Sequence, residues 1–313
     1  MPISNINTQK ISIMKIIIAG GSGFVGEELS NFLIKNGHEV CILSRSDKSS
    51  KNPKINYSIW TPDKLEMDHG LLKSHDAIIN LAGTPINGRW TKSYMHEIEN
   101  SRVMSTRTIV NALNQNQTNI KVLVNASAMG YFPSNTEVHA EDDAPGDHFL
   151  AKVCVAWENE VHKLMNPNVR SAIIRIGVVL DRKGGMLKSV EPIVKLGLAS
   201  GLGNGKQFMS VIHLEDLCRQ FLFIIENEKC KGAFHGVCEE ALRNKDFMRT
   251  LAQVMKKPFF LPNVPSFVLH LVLGKAASFV LQSFNLSSKK WKTLGFQFKF
   301  SSPKFALENL YRD

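Results

Sequence analysis

The residues best suited to chemistry are clustered near the start of the chain. Gly20-Gly21-Ser22-Gly23-Phe24-Val25-Gly26 follows directly on the apolar run KIIIA at 15–19. Both a GxxGxxG spacing (20, 23, 26) and a GxGxxG spacing (21, 23, 26) can be read there. Glycines at such a turn let backbone approach a pyrophosphate, and the amino terminus of a following helix adds partial positive charge. The triad alone is a weak signal, and its plainer reading is a tight strand–helix turn. The strand–turn–helix context makes Gly20, Gly23, Phe24, Val25 and Gly26 a candidate dinucleotide cradle.

The nucleotide is indicated by the end of the second apolar run. An NAD site needs a carboxylate there for the ribose hydroxyls. This chain has Leu43-Ser44-Arg45-Ser46 and no acid until Asp47. An arginine fork suits phosphate oxygens, so Ser44 and Arg45 point to NADP, with NAD the alternative; a solvated loop charge is the plain reading of Arg45. Asn80-Leu81-Ala82-Gly83 ends the fourth run with small residues, so Leu81, Ala82 and Gly83 offer backbone to the ribose and nicotinamide half. Arg89 and Trp90 come next, a cation and a flat ring able to clamp an anionic or cyclic substrate. A surface salt bridge and a packed indole are their plain alternatives.

These groups need a scaffold, and the hydrophobic pattern describes one. Apolar strand signals at 15–19, 39–43, 56–60, 77–81, 120–126 and 171–176 alternate with helical spacing at 24–35, 64–73, 91–114 and 148–165. Such alternation means parallel βαβ units. The predicted fold class is therefore α/β, a doubly wound parallel (Rossmann) sheet over residues 14–178. Residues 179–313, punctuated by glycines and then mostly helical, form a smaller substrate lobe that closes over the sheet's carboxyl edge. A late strand near 207–213 is expected to join the sheet. Residues 1–13 read as a loose arm without the apolar core of a signal peptide.

Composition removes other classes. The 313 residues are 43% hydrophobic and 21% charged, as in a folded protein. The formal charge of +10 is spread along the chain, which favours a solvated basic surface over a nucleic-acid groove and leaves anionic small ligands attractive. Five cysteines without a CxxC pair argue against a disulfide framework or a structural zinc site and for the reducing cytoplasm. No metal is expected. The apolar stretch 266–284 contains His270, Gly274 and Lys275 and follows Pro262 and Pro265. It therefore reads as a buried or interface helix, through which the chain could self-associate, and not as a membrane span.

Taken together, these segments resemble the extended and atypical short-chain dehydrogenase/reductases, and within them the NAD(P)-dependent epimerase family proteins with a dedicated C-terminal domain. The resemblance is carried by NLAGTPINGRW (80–90), SRVMST (101–106), SAMGY (127–131), EDDAPGDHFLAKVCVAWE (141–158), RIGVVLDRKGG (175–185), GNGKQFMSVIHLED (203–216) and GFQF (295–298). It covers nearly the whole chain from Met14, and it implies hydride chemistry by a Ser–Tyr–Lys set. Ser127 matches the serine. Registering the helix on Glu158 places Leu150 and Cys154 at the tyrosine and lysine positions, where neither can do the job. Lys152, two residues from Cys154, lies on another helix face.

The remaining acid/base candidates are Tyr131, the leading one, with Glu141 and His213. Their plain readings are packing, loop charge and a core histidine. Gln207 and His213 match a family segment expected to line the crevice. Asp216 is expected to stabilise a helix, and Asp147 to cap the helix beginning near 148. The resulting reading is an NADP-dependent oxidoreductase or epimerase acting on a small polar, sugar-like substrate. The alternative is a catalytically degraded, cofactor-binding regulatory or scaffold protein.

Overall fold

The computed structural model describes residues 13–312, so most of the expected N-terminal arm lies outside the described residues. The chain opens with β1 (Lys15–Ala19), α1 (Phe24–Lys35), β2 (Glu39–Ser44), β3 (Ile55–Thr61), β4 (Glu66–Met67), α2 (Gly70–Ser74) and β5 (Ala77–Asn80). It continues through α3 (Lys92–Gln115), β6 (Val122–Ala128), β7 (Val138–His139), α4 (Phe149–His162), β8 (Arg170–Ile176) and β9 (Val178–Leu180). The second half comprises α5 (Gly185–Lys195), β10 (Phe208–Met209), β11 (Val211–His213), α6 (Leu214–Glu226), β12 (Gly232–Gly236), β13 (Leu242–Arg243) and α7 (Asn244–Val254). It ends with α8 (Ser266–Leu273), α9 (Ala277–Leu281), β14 (Asn285–Leu286), α10 (Lys289–Thr293) and α11 (Pro303–Leu310).

Eight strands form one sheet in the order β12-β8-β6-β5-β1-β2-β3-β4, parallel except for the β3–β4 edge pair. From β1 the chain winds first toward β3, then returns to the other side through β5, β6 and β8. The strand order therefore reverses between β1 and β5, the place at whose carboxyl ends doubly wound sheets take their ligands. The central strands are continuously apolar because helices cover both faces. Ile16 and Ile18 pack toward Leu29 and Leu33 of α1. Ile17 and Ile78 pack toward Ile109 and Leu113 of α3.

Three expectations of organisation need correction. No helix spans 64–73: Leu65 turns left-handed (φ 58°), and Glu66–Met67 pairs back on Thr61 and Trp60, leaving only five residues for α2. Residues 207–213 do not join the main sheet. Phe208–Met209 pairs with β13, Val211–His213 pairs with β9, and the sheet's late strand is β12. The division at 178/179 is also interleaved, because α6 and Trp291 of α10 pack in the same core as α1 and β1. The remaining lobe gathers α5, α7 and α11 around Leu187, Phe247, Leu251 and Leu307.

The apolar stretch 266–284 is not one helix, and of its apolar side chains only Leu269, Ala277 and Phe284 are buried. Gly274 (φ 58°) separates α8 from α9, and most of α8 is exposed. No helix among the described residues is long and apolar enough to cross a membrane.

Candidate cofactor and active site

The glycine turn divides into structural and open positions. Gly20 (φ 79°) lies so close to β5 that an added Cβ would come within 2.8 Å of the Leu81 and Ala82 backbone. A Cβ on Gly26 would collide with Gly20 O and Gly21 Cα, so this glycine lets α1 close onto the turn. Gly23 is different. A Cβ there meets only Gly20 O, at 3.3 Å. Gly23 is also the N-cap of α1, and no side chain caps the helix. The N–H groups of Phe24, Val25 and Gly26 thus have no acceptor among the described residues. Free donors around an open glycine at a helix amino terminus fit a pyrophosphate.

Ser44, buried, ends β2, and the exposed Arg45 beside it has no ion-pair partner among the described residues. On the other side of the crevice a buried polar network sets the post-β5 backbone. Ala82 N–H donates to Asn80 Oδ1 (3.1 Å), while Asn80 Nδ2 donates to Asn125 Oδ1 (2.7 Å) and Thr106 Oγ1 (2.9 Å). Trp157 Nε1 also donates to Thr106 (2.8 Å), so β5, β6, α3 and α4 converge on one hydroxyl. These residues would hold an extended dinucleotide between Gly23 and Gly83.

At the end of β6 the sheet register places Ser127 beside Arg175 of β8. Ser127 Oγ donates to Glu158 Oε1 at 2.6 Å. Arg175 grips the same carboxylate twice, Nε to Oε1 (2.9 Å) and Nη2 to Oε2 (2.8 Å), with both side chains about 5% exposed. Its Nη1 donates to the Glu141 carbonyl (2.7 Å), and its guanidinium stacks 3.5 Å from the centre of the Tyr131 ring. Three sequence candidates, Ser127, Tyr131 and Glu141, therefore meet around Arg175. Burial raises the Tyr131 phenol pKa, with the Arg175 charge opposing the shift, so the phenol stays neutral. Burial also raises the Glu141 carboxyl, whose Oε1 has no hydrogen-bond partner among the described residues and lies 3.9 Å from His235 Nδ1.

Leu150, Cys154 and Glu158 form one buried stripe on α4, while Lys152 is exposed. Cys154 Sγ lies 3.8 Å from Ala128 O, and burial pushes its thiol up to about 12, so it carries no charge. Leu150 packs with Trp90, Ile98 and Val153. Trp90 spends its indole N–H on Ile86 O (2.7 Å) and meets Phe149 edge-on, which makes it a wall and not a free clamp. Arg89 is exposed, its carbonyl accepting from Thr91 N–H (2.8 Å) and its guanidinium without an ion-pair partner among the described residues.

Gln207 is buried and donates to Leu202 O (3.1 Å). His213 caps α6, its Nδ1 accepting from Glu215 N–H (3.1 Å), and packs 3.9 Å from the Phe300 ring; burial lowers its pKa. Asp216 accepts from Lys299 N and Phe300 N, tying the C-terminal segment to α6. The cap of α4 is His148, through Nδ1 and Ala151 N–H, and not Asp147.

Two residues escaped individual notice in the sequence. Arg175 is one. Arg102 is the other: its Nη1 donates to Thr84 O (2.9 Å) and Ile98 O (2.8 Å), it stacks over Trp157, and its Cζ would be 3.0 Å from a Cβ on Gly83. Burial lowers its pKa, and no carboxylate pairs with it among the described residues. The signal for both lay in the segments SRVMST and RIGVVLDRKGG, where each arginine interrupts an otherwise apolar or small-residue face.

A doubly wound sheet with an open glycine turn at its switch point defines a dinucleotide-binding α/β protein of the short-chain dehydrogenase/reductase type. The chain belongs to the NAD dependent epimerase/dehydratase family, whose model matches residues 16–235; residues 264–310 match a domain of unknown function, DUF1731. It is 37% identical over 299 residues to an epimerase family protein of Staphylococcus haemolyticus, covering 95% of this chain and 98% of that one. An epimerase family protein of Staphylococcus aureus is 36% identical over 299 residues, covering 94% and 98%. Among solved structures, the human epimerase family protein SDR39U1 (isoform 2), determined with NADPH, has a TM-score of 0.87 at 28% identity, covering 96% of this chain and 100% of that one. A UDP-glucuronic acid 4-epimerase of Bacillus cereus shares the fold, with a TM-score of 0.73 at 18% identity, covering 95% and 98%.

Proposed function

We propose that this chain binds NADP(H) and acts as an oxidoreductase or epimerase on a small polar, sugar-like substrate. The observation that carries the reading is the open, donor-lined Gly23 turn facing the small-residue edge Leu81–Ala82–Gly83. Arg45 just after β2, with no ion-pair partner among the described residues and no acid before Asp47, favours the 2′-phosphate form. The human relative determined with NADPH supports the same choice. Five buried, unpaired thiols fit a reducing cytoplasm.

When bound, the nicotinamide would supply or accept hydride. The chain's own residues orient the substrate and manage protons. Ser127, whose proton is committed to Glu158, keeps its oxygen as an acceptor for a substrate hydroxyl. Tyr131, neutral and steadied by Arg175, is the proton donor. Arg89 offers a cation for an anionic or hydroxyl-rich substrate.

A specific observation favours a second reading, cofactor binding without turnover. Leu150 and Cys154 hold the positions of the family's tyrosine and lysine, and Lys152 points to solvent. Following reduced-nicotinamide absorbance with NADPH and a panel of carbonyl substrates separates the two. Turnover lost in Ser127→Ala and reduced in Tyr131→Phe supports the enzyme. Tight binding with no turnover across the panel supports the regulatory reading.

A further inference from the structure

We propose that the outer face of α8, with Phe260 just before it, is a peripheral docking surface for an anionic lipid bilayer. The helix reads SFVLHLVL, yet only Leu269 is buried. Leu271 is 85% exposed, Val272 73% and Phe267 72%, while Phe260 on the preceding segment is 74% exposed. So many large apolar side chains in contact with water along one short segment mark an interaction site. Other exposed apolar side chains, such as Met165, Leu196 and Val138, are spread over separate elements, whereas α8 carries Phe267, Leu271 and Val272 within six residues.

Charge selects the occupant. Residues 250–284 contain Lys256, Lys257 and Lys275 and no Asp or Glu, while Arg249 just before them is paired with Asp246 (2.9 Å). Lys257 and Lys275 are exposed on either side of the apolar residues, in a chain of net charge +10. A second copy docking on this face would bring Lys257 and Lys275 against their own counterparts. An anionic bilayer supplies both the countercharge and an apolar layer for Phe267 and Leu271.

Geometry fixes the mode of contact. At eight residues, with Gly274 (φ 58°) breaking it from α9, the helix lies in the interface plane and does not cross. Beyond the break, Phe279 of α9 packs against both the Tyr131–Phe132 cluster and the Trp90–Leu150 cluster. Phe279 thus anchors the segment next to α8 on the body of the protein and leaves the outer face of α8 open. This inference does not depend on which reaction the crevice performs.

The test is flotation of the purified full chain with phosphatidylcholine vesicles, with and without phosphatidylglycerol, combined with sedimentation of the protein alone. The expected result is flotation with the anionic vesicles only, weakened by salt. Phe267→Ser with Leu271→Ser, and separately Lys257→Glu with Lys275→Glu, should each lower vesicle affinity about tenfold or more. Both variants should keep the unmodified thermal melt, because the altered side chains are exposed. Absence of flotation, or equal flotation of either folded variant, overturns the proposal. So does a dimer in the absence of lipid that Phe267→Ser with Leu271→Ser dissolves, which would make the face an interface between copies.

Discussion

At the scale of single residues, the centre of the site is an arginine. Arg175 neutralises Glu158, steadies Tyr131 and holds the Glu141 carbonyl, with both partners of the ion pair out of water. Removing one member of a buried pair leaves the other charge uncompensated. Arg175→Met is therefore expected to destabilise the protein by about 3–5 kcal/mol, read from denaturant unfolding. A loss below about 1 kcal/mol, the size of an exposed pair, would show that water reaches the site. Ser127, Tyr131 and Glu141 were legible in the sequence because each follows a strand end or sits in a matched segment. Their meeting at Arg175 was not, since it depends on the β6–β8 register pairing Ser127 with Arg175. His213 shows a different limit: it reads as an acid/base candidate at a strand end, and only the structure shows its Nδ1 capping α6 while its buried Nε2 has no hydrogen-bond partner among the described residues.

At the scale of elements, the strand–turn–helix unit at 15–35 was readable because periodicity and glycine spacing agreed there. Helix 64–73 was misread because its apolar spacing gives no hint of the left-handed Leu65 or the β3–β4 edge pair. The glycine turn predicts two different failures. Gly26→Ala should cost about 1–3 kcal/mol of stability, because its methyl meets fixed backbone of the turn. Gly23→Val should leave the fold near its unmodified stability and abolish dinucleotide binding, because its side chain enters the open cradle. Parallel melts and nucleotide titrations check both; a binding-competent Gly23→Val would make the turn purely structural. On α4, Lys152→Ala should leave nucleotide affinity unchanged, since that side chain is exposed while Leu150 and Cys154 face inward. A large loss of affinity would return Lys152 to the site and overturn the register.

At the scale of the molecule, the doubly wound class was legible from alternation alone. The interleaving of the two lobes was not, because α6 and Trp291 return to the first core across long sequence gaps. One ion network anchors the second lobe's C-terminal helix to α5. Burial alone would raise the Glu191 pKa, but hydrogen bonds from Lys195, Arg182 and the Tyr311 phenol reverse this and hold it at about 2. A carboxyl depressed in the folded state contributes stability above its ordinary pKa of 4.5, and that contribution is lost as pH falls from there toward 2. Melting temperature should therefore fall more steeply through this window in the unmodified protein than in Glu191→Gln. Parallel curves would remove Glu191 from the acid response.

The central proposal is an NADP site at the carboxyl ends of β1, β2 and β5, with Arg45 on the 2′-phosphate. The direct measurement is equilibrium titration of the protein with NADPH and NADH, repeated on Arg45→Asp. One charge-assisted contact to the 2′-phosphate predicts about ten- to a hundredfold tighter binding of NADPH, with the preference erased or reversed in the variant. Equal affinities in the unmodified protein, or a preference that survives Arg45→Asp, would contradict it.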